Sequence, residues 1–445
     1  MKRKKIKIIG IILGCIVLLL VGAFIFIYNS YPISVYAPKP YKPSGSVVLD
    51  KEMAKLEVTA DAEKLIAIME NTHPIFLEKQ SSKYKEAKER FLKETNNNMS
   101  AGEFQLSASR YLVSIEDGHT KLYWREDQYL NVNWRYSKGN LVLLDDNNKS
   151  TDKVVTKING IQVEKIMSTI KDLFPAENYV AENVNNTKYS KGKRVLMSSG
   201  VDCSKDMVIT VKGKSGEENI KAEFQKGDKS NNIDYEVSSR KIGNDTVYVK
   251  LGICEVNRTL TWVAEDLKQA VIGGVKNVII DVRDNPGGDS RACSMLLDSL
   301  KIKPGSFGSV IRFSPLAQER YGYLRKDGYV TINRSNAVKA NKNIKLYILT
   351  NEKTFSSAQW LATMIKDGKL GTIVGQPSSN MPSSFGDVLG FQLPNSKLQG
   401  QISYKKWTRP DKSKDNERVL EPDVLVDYSE DALNKVLQLI ASPSK

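Results

Sequence analysis

The first pattern along the chain is a run without charge. Ile8 to Ile27 are twenty consecutive uncharged, mostly apolar residues. At 1.5 Å per residue such a helix spans about 30 Å, the thickness of a bilayer's hydrocarbon. Lys2, Arg3, Lys4, Lys5 and Lys7 precede it. A basic flank of this kind holds the N-terminus in the cytoplasm and puts the remainder outside. Val21-Gly22-Ala23 offers a cleavage-like sequence, but the apolar run continues through Ile27, which suits an uncleaved signal anchor. Pro32, Pro38, Pro40 and Pro43 then mark an extended spacer.

Helical periodicity follows. Ala62, Leu65, Ile66 and Met69 share one face, and the pattern stops at His73-Pro74, because proline disfavours helix in the residue before it. A second helix is predicted over Lys83 to Glu94. A third opens with the capping box Ser100 to Glu103 and aligns Phe104, Ala108, Tyr111, Leu112 and Ile115. It runs out at Asp117-Gly118-His119-Thr120. Between about 128 and 240 the short strand patterns, with one amphipathic helix through Val163, Ile166, Met167 and Ile170, predict a β-rich module. A PDZ-like fold is one candidate for it. Beyond 241 strand and helix alternate: Thr246–Leu251, a helix from Leu260, Asn277–Val282, a helix from Ser290, Ile344–Leu349, and a helix from Ser356. That alternation argues for an α/β fold with a parallel sheet and crossover helices. The expected organisation is a basic tail at 1–7, an anchor at 8–27 and a linker at 28–50. A helical segment at 51–127, the β-rich module at 128–240 and a core domain at 241–445 complete it.

Composition narrows the chemistry. The net charge is +15, of which the N-terminal block supplies five. The remaining excess has no basic run with interleaved aromatics, so a solvated surface is the expected meaning and nucleic acid is not an expected partner. Four cysteines (Cys15, Cys203, Cys254, Cys293) without a C-x-x-C pair, and only two histidines, exclude a disulfide scaffold and the usual zinc spacings.

Two loops follow buried-type strands and can do chemistry. Asp281-Val-Arg-Asp-Asn-Pro-Gly-Gly288 lets backbone N–H groups approach a ligand. Thr350-Asn-Glu-Lys-Thr-Phe-Ser-Ser-Ala358 places serines at a helix N-terminus, where free N–H groups favour developing negative charge. In open parallel sheets both lie at the carboxyl edge, where ligands bind. A serine nucleophile needs a base; His119, in a Gly-flanked turn, is the candidate, while His73 before Pro74 reads as structural.

Together, Asp117-Gly-His-Thr120, Asp281-x-Arg-x-Asn-Pro-Gly-Gly288, Phe355-Ser-Ser-Ala358 and Gly375-Gln-Pro377 resemble the C-terminal-processing (tail-specific) serine peptidases. The nearer branch is the tricorn-protease-like and interphotoreceptor-retinoid-binding-protein-like one. The resemblance runs from about Asp61 to Val426. It implies a crotonase/ClpP-like spiral ββα core, a serine-type peptidase acting on peptides or proteins, and neither metal nor other cofactor. Carried over, the nucleophile is Ser356, and the oxyanion hole is formed by Gly287, Gly288 and the N–H of Ser357. Gln359 stands where the family usually has Glu. No lysine occurs from Ser378 to Gly386, and Met381 holds the place near which the processing branch has its lysine base. The resemblance therefore assigns His119 as base. Glu417 or Glu421, both before Pro422-Asp423, would support it, Glu417 being preferred. The alternative function is a non-catalytic protein of the same fold that binds apolar ligands or peptides.

Overall fold

The computed structural model describes residues 2–34, 38–227 and 234–442. A helix over Lys2–Ser30 contains the apolar span Ile8–Ser30, with mean hydropathy 3.1 and none of that stretch buried against the protein. It is the one helix among the described residues long and apolar enough to cross a membrane.

The alternation expected after 241 builds a sheet in the order Val237–Ile242, Thr246–Leu251, Asn277–Asp281, Lys345–Thr350, Thr372–Gly375, Val424–Leu425. The first pair is antiparallel and all the others are parallel. Period-two alternation divides its side chains between two faces. Val278, Ile280 and Val282 meet the helices Arg258–Ile272, Arg291–Ser299 and Ser357–Asp367, while Ile279 and Leu349 meet Ala432–Ala441. Asp281 pairs with Leu349, so both strands end side by side and their loops emerge together. The loops are stitched directly. Thr354 Oγ1 donates to Val282 O at 2.9 Å, and Phe355 N–H to Asn285 O at 2.9 Å.

A second, antiparallel sheet joins Tyr329–Ile332, Gly308–Arg312, Gln399–Thr408 and Phe385–Gln392. Its apolar face packs on the helices Lys55–Thr72, Ser82–Glu94 and Ala101–Val113 through Leu389, Phe391, Ile402 and Tyr404 against Leu65, Met69, Phe104 and Leu112. The helical segment near the N-terminus thus shares a core with strands from the last third of the chain. Lys121–Leu122 pairs with Gly400 and Gln401 at one end of this sheet. The β-rich part has its own core. Trp134, Leu141, Val155, Ile209 and Val211 of the sheet over 134–222 close on Val163, Ile166 and Ile170 of the helix Val163–Leu173.

Candidate active site

The helix Ser357–Asp367 begins one residue later than the sequence pattern suggests, because Ser356 is not helical. Its backbone sits at φ 52, ψ −123. Positive φ is strained for a residue with a Cβ, at a cost of about 1–3 kcal/mol, and such strain gathers where a side chain must be presented. Ser356 N–H donates to Asn380 Oδ1 at 2.8 Å, and its hydroxyl makes no hydrogen bond among the described residues. Its neighbour differs. Ser357 Oγ donates to Gly288 O at 2.7 Å and is held there.

The glycine loop fits around this turn. Gly287 and Gly288 have φ of 97 and 129. A Cβ on Gly287 would lie 2.5 Å from Ser356 Cβ and 2.9 Å from Ser357 N, and one on Gly288 would lie 2.2 Å from Cys254 O. Only glycine allows both approaches. Gly287 N–H donates to Asn285 Oδ1 at 2.8 Å, so that amide, expected to face a ligand, is committed within its own loop. The N–H groups of Gly288 and Ser357 have no acceptor among the described residues.

His119 is brought in from the other sheet. The turn 117–120 is tied down by Gln401 Nε2 donating to His119 O at 2.8 Å and Ser403 N–H donating to Thr120 Oγ1 at 3.0 Å. The ring lies 4.6 Å from that of Phe355, centroid to centroid, and is 8% exposed. His119 and Ser356 line one cavity of about 350 Å³, together with Gly288, Ser357, Gln359, Asn380 and Met381. No lysine is in its wall among the described residues.

Two carboxylates flank the imidazole. Nδ1 is 3.6 Å from Asp117 Oδ1 and 3.7 Å from Glu177 Oε1. Burial alone lowers the imidazole's affinity for a proton, but the two carboxylates outweigh it and push the pKa up to about 9. Asp117 is fully buried, which raises its own pKa. The His119 ring 3.6 Å away and the hydrogen bond from His73 reverse that and hold it well below the ordinary aspartate range. It also accepts from Thr120 Oγ1 at 2.6 Å and Ser403 Oγ at 2.7 Å. His73, expected to be structural, is wholly buried. Its Nδ1 accepts from Ile75 N–H, which leaves Nε2–H to donate to Asp117 Oδ2 at 3.1 Å.

Glu177 is the group that sequence reasoning missed. Gly118 N–H donates to its Oε1 at 3.1 Å, while Asn380 Nδ2 and Met381 N–H donate to Oε2 at 2.6 and 2.7 Å. Asn380 therefore bridges the carboxylate beside His119 and the backbone of Ser356. Glu417, the expected support for the histidine, lies elsewhere. Its Oε2 accepts from Arg409 Nη1 at 2.7 Å, because Arg409 is fully buried and needs counter-charges, which Glu417 and Asp367 provide. Glu421 meets the Tyr179 hydroxyl at 3.4 Å. Gln359 is buried, accepting from Ser378 Oγ and donating to Thr363 Oγ1. One ligand atom each from Asp117, His119 and Glu177 lies within 4.8 Å of the others, spacing a cation would accept. The carboxylate oxygens nearest the ring already accept N–H groups from His119 and Gly118.

The chain is similar to several known proteins. The family model described as Peptidase family S41 matches residues 245–426, the stretch holding both loops. A probable CtpA-like serine protease of Staphylococcus epidermidis is 24% identical over 283 residues, covering 60% of this chain and 52% of the relative. One of Staphylococcus aureus is 25% identical over 232 residues, covering 50% and 42%. The chain spans about half the length of the curated relatives it matches. Among solved structures, mature CPAF complexed with lactacystin superposes with a TM-score of 0.60 at 12% identity, covering 87% of this chain and 98% of that one. Mature CPAF alone gives 0.59 at 12% identity, covering 83% and 92%. These likenesses show a shared mixed α/β fold. With the matched family stretch and the CtpA-like relatives, they lead to one conclusion: over residues 245–426 the chain is similar to peptidase family S41.

Proposed function

We propose that the protein is a serine-type peptidase, anchored by its N-terminal helix with the remainder outside the membrane, cutting peptides or proteins by acyl transfer. One observation carries the reading. A strained serine with an unengaged hydroxyl shares a cavity with a histidine, while the adjacent serine is tied to a carbonyl.

On this reading Ser356 Oγ attacks the scissile carbonyl carbon and His119 takes its proton. Asp117 and Glu177 lie on the Nδ1 side, so Nε2 is the nitrogen left for the serine. The N–H groups of Gly288 and Ser357 receive the oxyanion, at the positive end of the helix dipole. Gly287 contributes by its missing side chain, which lets the loop lie against Ser356. The tetrahedral intermediate collapses as His119 returns the proton to the leaving amine, and water, deprotonated by the same imidazole, releases the acyl group. The finer fold reading belongs here too: a crotonase/ClpP-like spiral core and a PDZ-like module. A cavity of about 380 Å³ between module and core, backed by Gly118, Glu177 and Phe355, supports a peptide reaching the site from that side.

The test is covalent labelling by a fluorophosphonate probe. Wild type should label, Ser356→Ala should not, and His119→Ala should label at least about 10²-fold more slowly. Ser357→Ala keeps its N–H and should label nearly as wild type. A folded wild type that takes no label would overturn the peptidase reading in favour of a binding protein.

A further inference from the structure

Two of the four cysteines lie directly under the site. Cys254 is 2% exposed and Cys293 0%, with their sulfurs 3.8 Å apart. Both lie against the loops described above, Cys254 just after the strand Thr246–Leu251 and Cys293 in the helix Arg291–Ser299. Cys254 N–H donates to Gly287 O at 3.0 Å, and Asp289 N–H donates to Cys254 O at 2.7 Å, so its backbone holds the two glycines from both sides. Cys293 Sγ–H faces Ser357 O at 3.4 Å. Asn285, which accepts from Gly287 N–H, also places its Nδ2 3.5 Å from Cys254 Sγ, where it can donate to a thiolate.

We propose that Cys254 and Cys293 are a redox-active dithiol, which peroxide closes to a disulfide beneath the Gly287–Gly288 loop, switching the site off. A sulfur attacks one oxygen of hydrogen peroxide, the O–O bond breaks, and water leaves as the sulfur becomes a sulfenic acid. The second sulfur then displaces the hydroxyl as a second water. Two thiols lose two electrons and two protons, and one peroxide becomes two waters. The oxidant is water-sized, and the catalytic cavity opens on Gly288, Ser290 and Ser357, the residues next to the two sulfurs. Closure brings the sulfurs together by about 1.8 Å, from contact to a bond near 2.05 Å. A Cβ at Gly288 would already meet Cys254 O at 2.2 Å, so that loop has no slack to absorb a shift of Cys254. The Gly288 N–H then leaves its place, and the Ser357 carbonyl loses its thiol donor. Formation of the disulfide stands on its own; its effect on turnover rests on the proposed peptidase activity.

The experiment treats the full-length protein in detergent with hydrogen peroxide, alkylates remaining thiols after unfolding, and maps peptides by mass spectrometry. The Cys254 and Cys293 peptides should appear linked, short of two hydrogens, and the two sites should lose alkylation together. Turnover should fall about 10²-fold, as for loss of an oxyanion donor, and return with dithiothreitol. Cys293→Ser should hold its own untreated rate under peroxide. Met381 lines the cavity, but its sulfoxide adds oxygen and does not respond to dithiothreitol, so it is told apart. Both cysteines staying alkylatable while Cys15, Cys203 or methionines oxidise would overturn the dithiol. A linked pair with undiminished turnover would overturn the switch. If untreated protein neither turns over peptides nor labels, the peptidase reading fails instead. Amide exchange across residues 286–289 then decides the coupling, unchanged exchange counting against it.

Discussion

Replacing Glu177 by glutamine tests how the imidazole is governed. The carboxylate receives three donors: Gly118 N–H on Oε1, and Asn380 Nδ2 with Met381 N–H on Oε2. Glutamine has one acceptor oxygen. Asn380 cannot turn its amide to compensate, because its own Oδ1 receives Ser356 N–H. The better orientation keeps oxygen toward Asn380 and Met381 and points NH₂ at Gly118 and His119 Nδ1. That leaves one buried donor unmet, about 1–3 kcal/mol, and replaces an attractive charge 3.7 Å from the ring with a repelling dipole. A carboxylate at this distance raises a neighbouring pKa by about 1–3 units. His119 stands at about 9 in the native protein. A base acts only when unprotonated, so wild-type kcat/KM should rise with pH through a midpoint near 9. In Glu177→Gln that limb should move down by at least about one pH unit. The stability sign is opposite. A histidine raised from its ordinary value near 6.5 adds about 3 kcal/mol at low and neutral pH, and this is lost as pH rises through 9. Thermal unfolding at pH 7 and 10 measures it. A wild-type limb near 6.5, or a limb that Glu177→Gln leaves in place in a folded protein, would refute the reasoning.

Gly287→Ala should cut acylation at least about 10²-fold, because the added carbon meets Ser356 Cβ at 2.5 Å and the backbone keeps φ near 97; burst kinetics with an ester substrate reads it, and near-normal acylation would contradict the fit described. His73→Ala removes the Nε2–H donor to a buried carboxylate and should lower stability by about 1–3 kcal/mol in a denaturant titration, with catalysis of the folded fraction reduced far less than in His119→Ala. Protease added outside intact cells should digest the chain to a membrane-embedded stub containing Ile8–Ser30; complete protection would refute the orientation.

The elements with their own periodicity were legible in the chain: the apolar span, the three early helices, and the alternation after 241. Ser356 and His119 stood out as candidates, because a serine at a strand-to-helix turn and a scarce histidine advertise themselves by type and position, and the two line one cavity. What escaped depended on contacts between distant segments. Glu177 lies between two helices in Pro175-Ala176-Glu177-Asn178, and it acquires its meaning from Gly118 and from Asn380, 203 residues away. The local signal was a carboxylate in a short turn between amphipathic stretches. Glu417 was attractive for its place before Pro422-Asp423, yet the buried Arg409 guanidinium claims it, and no periodicity reports that demand. The Gly287 amide is lost to Asn285 two residues earlier by a turn whose hydrogen bond depends on a side-chain rotamer, which spacing does not encode.

The pairing of Lys121–Leu122 with Gly400 and Gln401 has a consequence for the life of the chain. The histidine turn is fastened by Gln401 and Ser403, residues that leave the ribosome long after Ser356. On the proposed mechanism, a chain still being synthesised or exported therefore carries Ser356 without a seated His119. On that mechanism the base is seated only once the strand Gln399–Thr408 has joined the sheet.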